Sequence, residues 1–209
     1  GTIKEMMMKL WAHRGSHGHD GILENTIAAF ERAVLDGADG IELDVHLSAD
    51  GIPMVFHDES LERLTVLNDP RKIDHVDADE LLGLDLIGGS RMPLLADVLR
   101  VFRGRIPLNI EIKDDDGVDA VLELLEDDGG PNVLLSSFSA GAIQHAFQRA
   151  PGIPRAWISG DLPTSPLEEA DSKWPFSRLA QTQAQRWHTS AHFCKPMTIG
   201  LLANRGITT

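Results

Sequence analysis

The sequence predicts an α/β fold built on parallel strands, and three observations carry that expectation. Short apolar runs alternate with amphipathic ones, which is the pattern of βαβ units. Charged and histidine side chains gather at the carboxyl ends of several of those runs. The chain, at 209 residues, is long enough for one large domain with a real core, or two small ones.

The apolar runs, in order, are Lys9 to Gly15, Gly40 to Leu47, Pro53 to Asp58, Ile106 to Lys113, Asn132 to Phe138 and Pro154 to Ser159. Arg186 to Thr189 is a further short candidate. Between the first two, ENTIAAFERAVLDGA spaces Ile27, Phe30 and Val34 as a helix does, with Asn25 or Thr26 as N-cap and Gly37 near the stop. MPLLADVLRVF and GVDAVLELLEDDGG read the same way. The second and third runs are joined tightly by SADG, Ser48 to Gly51, with Asp50-Gly51 as turn chemistry, so no helix is expected there.

Composition narrows the function classes. The hydrophobic fraction of 42% is that of a globular protein. The formal net charge of −13 disfavours nucleic acid and anionic membranes as partners, because both attract basic surfaces. An anionic substrate would have to be drawn in locally, by a cation or a metal. No run approaches the roughly 18 apolar residues of a membrane-spanning helix. Cys194 is the sole cysteine, so no intrachain disulfide forms. The opening GTIKEMMMKLWAHRG lacks the apolar stretch of a secretory signal. A cytoplasmic protein is the default expectation, although a removed signal peptide would leave the same sequence.

The chemistry lies at the run ends: His13-Arg14-Gly15, Glu42-Leu43-Asp44, His57-Asp58 and Glu111-Ile112-Lys113. Carboxyl ends of parallel strands share one face, where α/β proteins build their sites. Glu42 and Asp44 are two apart, so on a strand they point to one side, about 7 Å apart by backbone rise. Two bare carboxylates there would repel; a hard divalent cation uses both as oxygen ligands. Glu111 is the natural third ligand. An all-oxygen set points to Mg²⁺ or Ca²⁺ rather than zinc. Lys113, two beyond Glu111, joins Arg14 in supplying positive charge for an anionic group, most plausibly phosphate. His13 and His57 remain, and because free imidazole titrates near neutrality such a pair suits general acid and base. Singly, each residue has a bland alternative, such as a solvated strand face, a cross-strand ion pair or a core histidine. Jointly those alternatives fail, because Glu42 and Asp44 alternate with Ile41, Leu43 and Val45 in a run expected to be buried on both faces. His46 is expected to be structural. His17 and His19, in SHGHDG, are expected in a loop, with weak support for a second metal. Cys194 has no base partner, which argues against a thiol mechanism.

HRG, ENTIAAFERAVLDGADGIELDVHLSADGIPMVFHDESLERLT, MPLLADVL, LNIEIK and LLSSFS, in that order between about Leu10 and Pro151, resemble the glycerophosphodiester phosphodiesterase family. The resemblance implies a (β/α)₈ TIM barrel that hydrolyses glycerophosphodiesters to sn-glycerol 3-phosphate and an alcohol. It implies His13 and His57 as the acid/base pair, Glu42, Asp44 and Glu111 as metal ligands, and Arg14 and Lys113 as phosphate holders. Glu24 and Asn25 match the family's ENT box and are expected to support the site.

Three departures accompany the match. SHGHDGIL is longer than the usual gap before ENT and lacks its proline. The family's arginine-threonine pair after HD stands here as Arg63-Leu64-Thr65. RWHTSAHFCKPMTIGLLANRGITT resembles the family's histidine-proline turn and helix, but the last one or two strand motifs do not follow. The expectation is therefore a single barrel domain over residues 1–209, incomplete at its C-terminus. An unclosed barrel exposes strand edges and core, which association with a second chain would cover. Two competing functional readings accompany this one. A lysophospholipase D- or sphingomyelinase D-like phosphodiesterase would need a hydrophobic entrance that Trp11, Trp157 and Trp174 do not establish. A truncated, inactive remnant or binding module would keep the site residues without turnover.

Overall fold

The computed structural model describes residues 10–125, 132–160, 176–189 and 207–208. The chain falls into two compact units, residues 1–110 with 130–132 and residues 111–129 with 133–209.

In the first unit, β1 (Trp11–His13) pairs in parallel with β2 (Gly40–Leu47), placing Trp11 opposite Gly40 and His13 opposite Glu42. This register decides where the first histidine sits. Gly40 makes room for it: a Cβ there would lie 2.5 Å from the Trp11 ring. All of β2 except Leu47 is buried. β3 (Pro53–Val55) pairs antiparallel with β2, as the tight SADG joint predicts. Within that joint the Ser48 hydroxyl donates to Asp50 Oδ1 (2.6 Å), the Ile52 amide donates to Ser48 Oγ (2.9 Å), and Gly51 takes φ +79°. The strand stops three residues earlier than the apolar run, so His57 and Asp58 belong to the loop that follows. The Phe56 amide donates to the Asp44 carbonyl (3.0 Å), which holds that loop against β2.

Helix α1 (Ile27–Leu35) starts where Thr26 caps it: the Ala29 amide donates to Thr26 Oγ1 at 3.2 Å. Asn25, the other candidate cap, instead adopts φ +54° and turns its amide into the site described below. The helix buries Ala29, Phe30 and Ala33. Phe30 meets Phe102 of the helix Leu95–Phe102 edge to face, with centroids 5.8 Å apart. Between β3 and that helix, two 3₁₀ turns, Ile73–His75 and Ile87–Gly89, and α2 (Ala78–Gly83) enclose a small core around Met54, Phe56, Leu61, Leu81 and Met92. The helix Leu95–Phe102 is therefore α3.

The turn after β1 depends on one glycine. Gly15 has φ +80°, and a Cβ there would lie 2.7 Å from the backbone carbon of Ala29. The Ser16 amide donates to the Ala29 carbonyl at 3.0 Å, so loop and helix are in direct backbone contact. Gly15→Ala combines a disfavoured φ with a backbone clash and is expected to destabilise the protein by about 2 kcal/mol or more. A fall in chemical-denaturation midpoint checks this; an unchanged midpoint would mean that α1 is not seated on this loop.

β4 (Leu108–Ile112) enters beside β2, where the Ile41 amide donates to the Pro107 carbonyl (2.9 Å). The strand then continues into the second unit at Glu111. There β5 (Val133–Ser137), β6 (Arg155–Ile158) and β7 (Arg186–His188) run parallel, with Ser137 opposite Trp157 and Trp157 opposite Trp187. The Ser137 hydroxyl donates to the Ile112 carbonyl at 2.7 Å, tying the end of β5 to the end of β4. Helices α4 (Gly117–Leu125), α5 (Ala140–Arg149) and α6 (Phe176–Thr182) separate these strands. Ile143, Trp157, Leu179, Ala184 and Trp187 pack together, and the Trp187 indole donates to Ser159 Oγ (2.9 Å). Arg155 is fully buried, with its guanidinium over Phe147 and donating to the Ile153 carbonyl. Thr208 bridges Arg186 in parallel, which sets residues 207–208 alongside β7. The turn and helix expected within 190–206 lie outside the described residues.

Candidate active site

Glu42 and Asp44 face the same way on β2 and both are buried, Asp44 at 1% exposure. A carboxylate oxygen of one lies within 4.8 Å of an oxygen of the other. Arg14 is wrapped between acidic groups. Its backbone amide donates to Glu42 Oε2 (3.1 Å), its Nη1 donates to Glu24 Oε1 (3.0 Å), and its Nε lies 3.3 Å from Asp44 Oδ2. The residue has φ +57°, a left-handed conformation that the surrounding contacts must hold. Asn25 anchors Asp44 from the other side: its Nδ2 donates to Asp44 Oδ2 (2.8 Å), and the Asp44 amide donates to Asn25 Oδ1 (3.3 Å). Glu24 and Asn25, expected only as support, therefore touch Arg14 and Asp44 directly.

His13 Nε2 lies 3.8 Å from Glu42 Oε2, as the β1–β2 register requires. Its ring is largely open to solvent yet crowded by the protein on one side. That partial desolvation, followed by the charge of Arg14, lowers its pKa.

His57 is held differently. Its Nδ1 lies 2.6 Å from Asp58 Oδ1, and its backbone carbonyl accepts from His46 Nε2 at 3.0 Å. His46 is thus structural, as expected, and it braces the loop that carries His57. Arg63 completes the arrangement. Its Nε donates to Asp58 Oδ2 (2.5 Å), and its Nη2 donates to Asp58 Oδ1 (3.0 Å) and Glu24 Oε1 (2.6 Å). These hydrogen bonds hold the Asp58 pKa down to about 2. Burial pushes the Glu24 carboxyl up, but Arg63 and Arg14 outweigh it and keep Glu24 below its usual range. Ligand atoms of Glu24, His57 and Asp58 lie within 4.8 Å of one another, but Arg63 already pairs with both carboxylates. Among the described residues, His17 and His19 belong to no metal-capable group.

Arg63 is the residue whose importance sequence reasoning missed. Its displacement from the family pattern registered as an oddity of spacing. The available signal was its position five residues after Asp58, close enough for one loop to bring them together. Thr65 is buried and serves the loop itself: its hydroxyl donates to the Leu61 carbonyl (2.9 Å) and accepts from the Asp69 amide (2.8 Å).

In the second unit, Glu111 is buried on β4, and Lys113 Nζ pairs with its Oε1. Lys113 follows the last residue of β4, and the ion pair brings its ammonium to the side of the strand that carries Glu111. No helix among the described residues is long and apolar enough to cross a membrane.

In the first unit, the buried carboxylates of β2 thus lie beside the Arg14 guanidinium and the His13 ring, an acidic centre at the carboxyl end of β1. The chain belongs to the glycerophosphoryl diester phosphodiesterase family, whose model matches residues 13–174. A glycerophosphodiester phosphodiesterase of Bacillus altitudinis is 35% identical over 173 residues, which cover 75% of this chain and 68% of that protein. The crystal structure of a glycerophosphodiester phosphodiesterase from Agrobacterium tumefaciens superposes with TM-score 0.76 at 31% identity, covering 96% of this chain and 84% of the other. A phosphodiesterase of Oleispira antarctica in complex with the product sn-glycerol-3-phosphate gives TM-score 0.80 at 27% identity, with 99% and 85% covered. The (β/α) barrel class that the resemblance implied is the fold class of this chain.

Proposed function

We propose that this chain hydrolyses glycerophosphodiesters to sn-glycerol 3-phosphate and an alcohol, with a divalent cation, Mg²⁺ or Ca²⁺, held by Glu42, Asp44 and Glu111. The observation that carries this reading is the buried Glu42–Asp44 pair with His13 and Arg14 set beside it. The donor set fits a hard cation: every proposed ligand is a buried carboxylate, and two of them share one side of a strand. When bound, the cation supplies countercharge to those carboxylates and to a phosphate oxygen as negative charge builds there.

The chain's own residues do the rest. Arg14 and Lys113 bind the phosphate. Glu24 and Asn25 fix Arg14 and Asp44 so that neither must reorganise when substrate arrives. One of His13 and His57 takes a proton from the nucleophile, and the other gives one to the leaving alkoxide at its ring nitrogen. The nucleophile is water or the substrate's own glycerol hydroxyl. The partner is a small anionic diester, and the net charge of −13 is unsuited to nucleic acid.

The test compares glycerophosphocholine with lysophosphatidylcholine in the presence of Mg²⁺ or Ca²⁺. Faster turnover of the deacylated diester, releasing sn-glycerol 3-phosphate, is the expected result. Preference for the acylated diester would favour a lysophospholipase D, and no turnover of either would favour an inactive remnant.

A further inference from the structure

His57 does not stand alone. It is the end of a chain of charged groups running through Asp58 and Arg63 to Glu24, all within residues 24 to 63. Every link is a close contact: 2.6 Å from His57 to Asp58, 2.5 and 3.0 Å from Arg63 to Asp58, and 2.6 and 3.3 Å from Arg63 to Glu24. Glu24 in turn accepts from Arg14. Three features separate this from a surface ion pair. Both oxygens of Asp58 are engaged by Arg63, which fixes the plane of the carboxylate. The ring of His57 meets Asp58 through Nδ1 alone. The backbone of His57 is held independently by His46.

From this geometry we infer that Asp58 and Arg63 are positioning residues for His57: Arg63 locks Asp58, and Asp58 locks the imidazole in the tautomer protonated at Nδ1, so that proton transfer occurs only at Nε2. This rests on the reading of His57 as a proton-transfer group. The chemistry follows from what each group can do. An ionised carboxylate only accepts hydrogen bonds, so the Nδ1 facing Asp58 carries hydrogen. In neutral imidazole the proton on Nδ1 leaves Nε2 as the lone-pair nitrogen, and in imidazolium Nε2 holds the labile proton. Either way His57 exchanges its proton with substrate at Nε2, and ring rotation is blocked. Without the carboxylate the ring is free to flip or to take the other tautomer. Arg63 reaches Glu24 as well, and Glu24 holds Arg14. A single guanidinium therefore sets the histidine on one side and the proposed phosphate-binding arginine on the other.

The test uses Asp58→Asn and Arg63→Ala, compared with His57→Ala, in the full chain. ¹⁵N NMR of the His57 ring at neutral pH is the readout that does not depend on turnover. Wild type is expected to show hydrogen on Nδ1, and Asp58→Asn to show mixed or Nε2-protonated tautomers. In kinetics with glycerophosphocholine, Asp58→Asn is expected to lower kcat by about 100- to 10,000-fold while KM changes by less than about threefold, the upper end being the effect of removing the carboxylate that orients a triad histidine. Arg63→Ala is expected to lower kcat by about tenfold and to shift the acid or base limb of the pH–rate profile. A purely structural role would lower the amount of folded enzyme and leave that profile in place. If Asp58→Asn retains wild-type kcat while His57→Ala abolishes turnover, the positioning role is wrong and the acid/base reading stands. If His57→Ala itself retains full turnover, both fail. A wild-type His57 ring protonated at Nε2 alone also overturns the inference, whatever the kinetics.

Discussion

Asp44→Asn is expected to lower kcat/KM on glycerophosphocholine by about 1,000-fold and to weaken divalent cation binding in parallel. Among the described residues Asp44 is the most deeply buried acidic one, at 1% exposure, and it accepts from Asn25 while lying against Arg14. Asparagine keeps the shape and still accepts from Asn25, so the fold should survive. What is lost is one negative charge of the set proposed to hold the cation. Glu42→Gln tests the same claim from the neighbouring position. Calorimetric titration of Mg²⁺ or Ca²⁺ into each variant reads the binding loss separately from turnover. Wild-type activity in Asp44→Asn would remove Asp44 from the metal set.

His57→Ala is the second large effect: a fall in kcat of about 100- to 10,000-fold with little change in KM. The substitution leaves the Arg63–Asp58 and Arg63–Glu24 pairs in place, and His57 is partly exposed, so thermal stability should change little. His13→Ala is expected to do the same, because its ring lies beside Glu42. A variant of either histidine that keeps near-full activity with metal present would dismiss it as acid or base. Comparing the two pH–rate profiles then shows which histidine fills which role.

The strands were legible in the sequence because their apolar runs are dense. Gly40–Leu47 is a strand over the same residues as its run, and the runs around Leu108, Val133, Arg155 and Arg186 are all strands, trimmed by a residue or two at their ends. The third run is the instructive case. Its pairing stops at Val55, and His57-Asp58 sits in a loop because polar contacts from Asp44, His46 and Arg63 take over from sheet hydrogen bonds there. Between Thr65 and Met92 the sequence offers no secondary-structure element, although ESLERLT just before that stretch carries part of the family resemblance. The small core there is assembled from residues scattered over 3₁₀ turns and one short helix, which have no periodicity to detect.

The same contrast holds for the site. Residue types at strand ends pointed to His13, Arg14, Glu42, Asp44, Glu111 and Lys113, because the chemistry of a strand end depends on what the strand itself carries. Asn25 and Arg63 act through loops. Asn25 reads as a helix cap until its left-handed backbone turns its amide onto Asp44. Arg63 reads only as a displaced member of the family's arginine-threonine pair until the loop folds it between Asp58 and Glu24.

Metal-stripped protein is titrated with Mg²⁺ or Ca²⁺ while calorimetry follows binding and an assay follows sn-glycerol 3-phosphate release from glycerophosphocholine. A metal-held diesterase site predicts negligible turnover at the start, activity that rises along the binding isotherm, and loss of both in Asp44→Asn. Full turnover in the stripped protein, or tight binding that brings no activity, would contradict it.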